Sequence, residues 1–143
     1  MYNGNSEMLI RKGSKIYTDI ISNVIKQKNV SVFTMTGKNK FDFMPIEERS
    51  ITHHQELEVY DLVIENTKGV QRTVTCSIDQ QVHTVVRGFC SILRLNQLDV
   101  IIDDEGLPNK VISCESKILK DVDMCWMSLK YRNSPFISGI MLR

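Results

Sequence analysis

Long apolar runs are missing from this sequence: nowhere do about 18 apolar residues follow one another, which excludes a membrane-spanning helix. A surplus of charge of either sign is missing too. The chain has 18 basic and 17 acidic residues, a formal net charge of +1, and its Lys and Arg are scattered. No electrostatic footprint for nucleic acid or an anionic membrane follows from that balance, so neither is expected as a partner. The opening residues, MYNGNSEMLIRKG, lack the basic-then-apolar order of a signal peptide, and a cytoplasmic location is expected. Cysteine is sparse, at Cys76, Cys90, Cys114 and Cys125, with no CxxC pair and no His at zinc-ligand spacing. These cysteines read as small buried hydrophobes, free of disulfides in a reducing compartment, and no metal is expected. No P-loop, GxGxxG, GxSxG, HExxH or helically spaced carboxylate pair is present, so no cofactor is expected.

What is present has ordinary globular character: 143 residues, 42% hydrophobic and 24% charged, the size of one domain. Residues 1–13 read as a loose polar arm. From Ser14, a candidate N-cap, Ile16, Tyr17, Ile20, Ile21, Val24 and Ile25 recur with the period of one helix face. The spacing predicts an amphipathic helix over residues 15–28. Its apolar face is wide, so one stripe is expected to pack on the domain. The other, drawn from Ile16, Tyr17, Ile20, Ile21 and Val24, is expected to meet another protein subunit or a second copy of the chain.

Beyond residue 29 the pattern changes to short alternating runs separated by Gly, Asn and Asp turns. Val30 to Met35 and Lys40 to Met44 flank the turn Thr36–Asn39. Pro45 to Gln55 reads as a polar connection. Its adjacent His53 and His54 would point to opposite faces of a strand, which suits exposed imidazoles better than a metal site. Leu57 to Glu65 is a strong strand, Asn66 to Gly69 a turn, and Val74 to Val86 a further alternating run. Gly88 breaks that run, Ser91 to Leu98 makes a turn or two, and Val100 to Ile102 is another strand. Asp103 to Gly106 is too short for a calcium loop of about twelve residues and reads as a hairpin turn. Lys110 to Lys117 and Ile118 to Leu129 supply two more β-prone runs, with Trp126 a core candidate.

The stretch Val74 to Ile102 resembles the middle of a Hint domain, the β-rich fold of inteins and hedgehog-type autoprocessing domains. That family shows a strand, Thr-x-x-His, a Thr, a Gly-aromatic pair, a Leu, a Gly-Asp pair and another strand. The matching residues are Ser77-Ile78-Asp79-Gln80, Thr84, Gly88-Phe89, Leu95, Leu98-Asp99 and Val100-Ile101. Phe136 to Leu142 is similar to the family's closing strand, with Arg143 where its His would fall. The resemblance implies a mainly β, Hint-like antiparallel domain over residues 30–143, preceded by the arm and helix of residues 1–29.

It also implies what should be lost. Protein splicing needs a first-residue Cys or Ser, a His in the middle block, a terminal Asn and a neighbouring His. The matched opening strand would place the nucleophile near Val24 to Lys26, where no Cys or Ser stands. Gln80, which replaces the His, cannot take a proton at neutral pH. Ser77, Asp79 and Asp99 match auxiliary positions only. The expectation is therefore no enzyme and no catalytic residues. The chain would be a structural or interaction protein on a splicing-dead Hint scaffold, a subunit of a larger assembly. The same likeness, with the chain's Asn, Ile and Lys flavour, implies a bacteriophage setting, in the virion or its assembly. The alternatives kept beside it are a residual self-cleaving Hint domain and a nucleic-acid-binding accessory protein.

Overall fold

The computed structural model describes all of residues 1–143, and nearly every segment is extended. The strands in chain order are β1 (Tyr2–Asn3), β2 (Glu7–Lys12), β3 (Lys15–Ile20), β4 (Ser31–Gly37), β5 (Lys40–Asn66) and β6 (Gln71–Cys76). They continue as β7 (Gln81–Thr84), β8 (Gly88–Ser91), β9 (Val100–Ile102), β10 (Pro108–Leu129), β11 (Phe136–Ile137) and β12 (Ile140–Met141). The one α-helical turn is α1 (Ile21–Val24), and no helix is long and apolar enough to cross a membrane.

Eight strands form a sheet in the order β3-β2-β4-β5-β6-β1-β10-β9, every pairing antiparallel. Its spine is the pairing of β5 with β10, from Asn66 opposite Asn109 to Ile46 opposite Leu129. Two short hairpins, β7–β8 and β11–β12, lie outside it. The expected mainly β architecture is what the chain adopts. Residues 1–29 are woven into the same sheet as residues 30–143, since β2 pairs with both β3 and β4.

The N-terminal arm proves to be the most enclosed part of the chain. Tyr2 faces Cys76 of β6 on one side and Cys125 of β10 on the other. It is fully buried, and its phenol oxygen accepts the Met127 N–H at 2.8 Å. Burial pushes the phenol pKa up, so the hydroxyl stays neutral. Gly4 continues this close passage: its N–H donates to Asp123 O at 2.9 Å, and a Cβ there would lie 3.3 Å from that oxygen. Met8 and Ile10 of β2 then turn into the main apolar cluster beside Ile21, Val32, Ile64 and Leu129.

The helix expected over residues 15–28 is a strand followed by a single helical turn. Gly13 and Ser14 join β2 to β3, with Gly13 at φ +62°, the conformation that a Gly-first hairpin turn requires. Ile16, Thr18 and Ile20 alternate as readily as they recur helically, and β-branched side chains favour the pleated choice. The backbone then closes α1 against the arm, with Ile21 N–H donating to Ser6 O and Ser22 N–H to Gly4 O, both at 2.9 Å. The five residues expected at an interface are thereby divided. Ile21 and Val24 are fully buried, Ile20 is half-buried, and Ile16 and Tyr17 stay exposed on the edge strand β3.

Two further expectations are corrected. Pro45 to Gln55 is the interior of β5 rather than a connection, because β10 pairs with most of it from Ile46 to His54 and β4 pairs with Pro45. Phe136 to Leu142 is a hairpin, with Ser138 and Gly139 both at positive φ in the turn, rather than one closing strand. Asp103 to Gly106 is a turn as expected, and Asp103 Oδ1 accepts the N–H groups of Glu105 and Leu107. Trp126 is half-buried, while Met124 and Met127 beside it are core.

Three substitutions test this architecture. Tyr2→Phe strands the buried Met127 N–H and should cost about 1–3 kcal/mol in denaturant unfolding. Ile21→Asp should abolish folding, whereas Ile16→Asp on the exposed edge should shift stability by roughly 0.5 kcal/mol or less.

Candidate functional site

Both ends of the described chain arrive at one turn, Ser77 to Gln80, between β6 and β7. β1 brings Met1 there. Ser77 N–H donates to Met1 O at 2.8 Å, and the Met1 α-amine donates to Ser77 Oγ at 2.8 Å. The single hydroxyl proton of Ser77 goes to Asp79 Oδ1 at 2.5 Å rather than to Met1 O at 3.2 Å, since a charged acceptor makes the stronger bond. That hydrogen bond holds the Asp79 carboxyl below its usual range. Burial pulls the α-amine pKa down, and Asp79, 3.9 Å away, pulls it partly back.

Gln80 faces the other end. It is 1% exposed, and its Nε2 donates to Arg143 O at 2.9 Å and to Gln81 O at 3.0 Å. Its Oε1 is buried without a hydrogen-bond partner. Arg143 N–H donates to Gln81 O at 3.0 Å, and Leu142 forms a bridge to Val82, so the closing segment lies along β7. A neutral amide thus grips the Arg143 carbonyl, with backbone bonds fixing the segment that leads into it.

The turn is supported from behind. Arg87 forks onto Asp99, Nε to Oδ1 at 3.0 Å and Nη2 to Oδ2 at 2.6 Å, and also donates to Arg94 O. Asn96 N–H donates to the same Asp99 carboxylate. The Arg87 guanidinium holds the Asp99 carboxyl below its usual range. Thr84 Oγ1 donates to Gly88 O at 2.9 Å and closes the β7–β8 hairpin. On the outer side, burial and then the nearby Arg143 push the His83 pKa down.

The expected nucleophile position is corrected. Val24 to Lys26 lies at α1 and just after it, away from the turn, and Met1 occupies the place beside Ser77. The signal that could have placed it was the Gly13-Ser14 hairpin, which makes residues 7–20 a strand pair and brings the first residues into the sheet. A thioether is no nucleophile for acyl transfer. The thiols nearest in sequence register are quiet: burial pushes Cys76, beside Tyr2, up to about 12 and Cys125 up to about 11. His53 and His54 make no hydrogen bond to the turn. His53 Nδ1 lies 2.8 Å from Asp123 Oδ1 in the β5–β10 ladder, and His54 pairs with Val122. No cluster of three His, Cys, Asp or Glu side chains is placed to hold a metal ion.

No protein-family model matches the sequence, and no curated protein matches it either. Solved structures do. A DnaB intein from Synechocystis sp. PCC 6803 superposes with a TM-score of 0.73 at 13% identity, covering 99% of this chain and 96% of that one. The transcription factor IIB Mvu mini-intein gives a TM-score of 0.80 at 15% identity, covering 99% and 98%. A bacterial intein-like domain from Clostridium thermocellum gives 0.70 at 15%, covering 99% and 97%. The fold is that of inteins, the Hint fold, over nearly the whole chain. The expectation that the chain is no enzyme is corrected by this finding, since the solved structures that share its fold are inteins.

The Asp99 fork gives a pH test with a definite sign. A carboxyl whose folded pKa is depressed contributes stability that is full above its ordinary value of 3.8 and is lost as pH falls through the folded value. Asp99→Asn should therefore flatten the fall in thermal midpoint between about pH 4 and 2 while lowering stability at neutral pH. Parallel curves for the two proteins would show that the fork contributes nothing.

Proposed function

We propose that this chain is a self-processing domain that cleaves its own backbone on the carboxyl side of Arg143, in chains that continue past that residue. The observation that carries the reading is the hydrogen bond from Nε2 of the buried Gln80 to Arg143 O, at 2.9 Å. A donor aimed at a carbonyl oxygen polarises the carbon and stabilises the oxyanion formed on attack. Arg143 N–H, bound to Gln81 O, holds the backbone just before that carbonyl. The free Oε1 of Gln80 can accept a further N–H.

The reaction in this reading is one-sided. Met1 offers no side chain to attack the peptide that precedes it, so the acyl shift that begins splicing has no nucleophile there. At the other end, water or a side chain of the following residue adds to the Arg143 carbonyl carbon. The C–N bond then breaks, and the attacking group's proton passes to the departing amine. Gln80 neither gives nor takes that proton, so the acceleration is that of one oriented donor, about 10²–10³-fold. The reading as an assembly subunit draws only on the exposed Ile16 and Tyr17 of β3.

The test is the chain carrying a short peptide beyond each end, followed by intact mass over days. A product ending at Arg143 should appear, and Gln80→Ala should slow it by roughly 10²–10³-fold while leaving the fold intact. An unchanged mass from a folded chain would overturn the reading.

A further inference from the structure

The Arg143 side chain is held as carefully as its carbonyl. Its Nε and Nη2 both donate to Gln81 Oε1, at 3.1 and 3.0 Å, and its guanidinium carbon lies 4.2 Å from the centre of the Phe89 ring. His83 meets Phe89 edge-on, with centroids 5.1 Å apart and planes at 74°. All three contacts come from the β7–β8 hairpin, where His83 pairs with Phe89 across the ladder and Gln81 lies two residues before His83 on the same face. The alternate residue, Val82, is turned into the core. One face of this hairpin of two four-residue strands is thus an aromatic platform with a polar acceptor at its rim.

Such a platform discriminates between cations. A guanidinium is flat, stacks on a ring and can send two N–H groups to one oxygen. An ammonium is a compact point charge that does neither. The same hairpin also supplies the Gln81 carbonyl that binds Arg143 N–H, so side chain and backbone are read together. We propose that Gln81, His83 and Phe89 form a seat specific for the arginine guanidinium, which sets the register in which the Arg143 carbonyl meets Gln80. Gln81 and Phe89 are positioning residues in this scheme. Its consequence for processing rests on the reading of the site as self-cleaving, whereas the seat itself does not.

Two readouts separate these parts. The first is amide hydrogen exchange at Leu142 and Arg143 in the folded chain, which needs no cleavage. Arg143→Lys, which keeps the charge and changes only what occupies the seat, should speed exchange of the residue-143 amide roughly three- to tenfold, with Ile101 in the core unchanged. Phe89→Leu should do the same and Phe89→Tyr should not. The second is cleavage of the chain extended past Arg143, where the same variants should slow product formation in the same order. Adding millimolar ethylguanidinium should restore part of the rate to Arg143→Ala. Equal exchange in the native and Arg143→Lys chains would overturn the seat. Faster exchange in the variants, with no cleavage even of the native chain, would uphold the seat and overturn the self-cleaving reading alone.

Discussion

The structure depends on two residues being threaded through the middle of a sheet. β1 is only Tyr2–Asn3, yet it lies between β6 and β10, and its tyrosine takes up the Met127 N–H in a fully enclosed setting. A strand so short cannot hold its place by ladder bonds alone. The buried phenol, and the room made by Gly4 against Asp123, fix it. Everything upstream of Tyr2 is then obliged to emerge beside the turn that begins at Ser77.

That obligation produces the site. β1 delivers one end of the chain to Ser77 and Asp79, while the β11–β12 hairpin and Leu142 deliver the other to Gln80. Four consecutive residues therefore address two distant stretches of backbone: a hydroxyl–carboxylate pair for one, a primary amide for the other. The two halves are chemically unequal. The first can anchor an amine or a peptide N–H, and burial keeps the neighbouring thiols protonated. The second orients a carbonyl, which is why the proposed chemistry falls at Arg143.

Much of the β body was legible because its punctuation is local. Asn66 to Gly69, Asp103 to Gly106 and the break at Gly88 each mark a turn through residue types that tolerate its backbone. The Ser77-x-x-Gln80 and Leu98-Asp99 matches fell at the turn that meets Met1 and Arg143 and at the carboxylate that Arg87 grips behind it. The N-terminal third was misread because Ile16, Tyr17, Ile20, Ile21 and Val24 recur at helical spacing, while the strand is marked only by the short alternation of Ile16, Thr18 and Ile20. What decided between them was a tertiary fact, the capture of β2 by β4. Pro45 to Gln55 was hidden for a related reason: a polar, two-sided ribbon has no alternation to display, and only β10 reveals it as a strand. The role of Met1 was illegible for want of any reactive side chain to draw attention to it.

The central claim is that a buried glutamine amide grips the backbone carbonyl of Arg143. The most direct measurement is solution NMR on an isotopically labelled chain that continues past Arg143, looking for through-hydrogen-bond coupling between the Gln80 side-chain nitrogen and the Arg143 carbonyl carbon. That coupling is expected, together with slowed exchange of the Gln80 side-chain amide. No coupling, and a Gln80 amide exchanging as fast as an exposed glutamine, would contradict it.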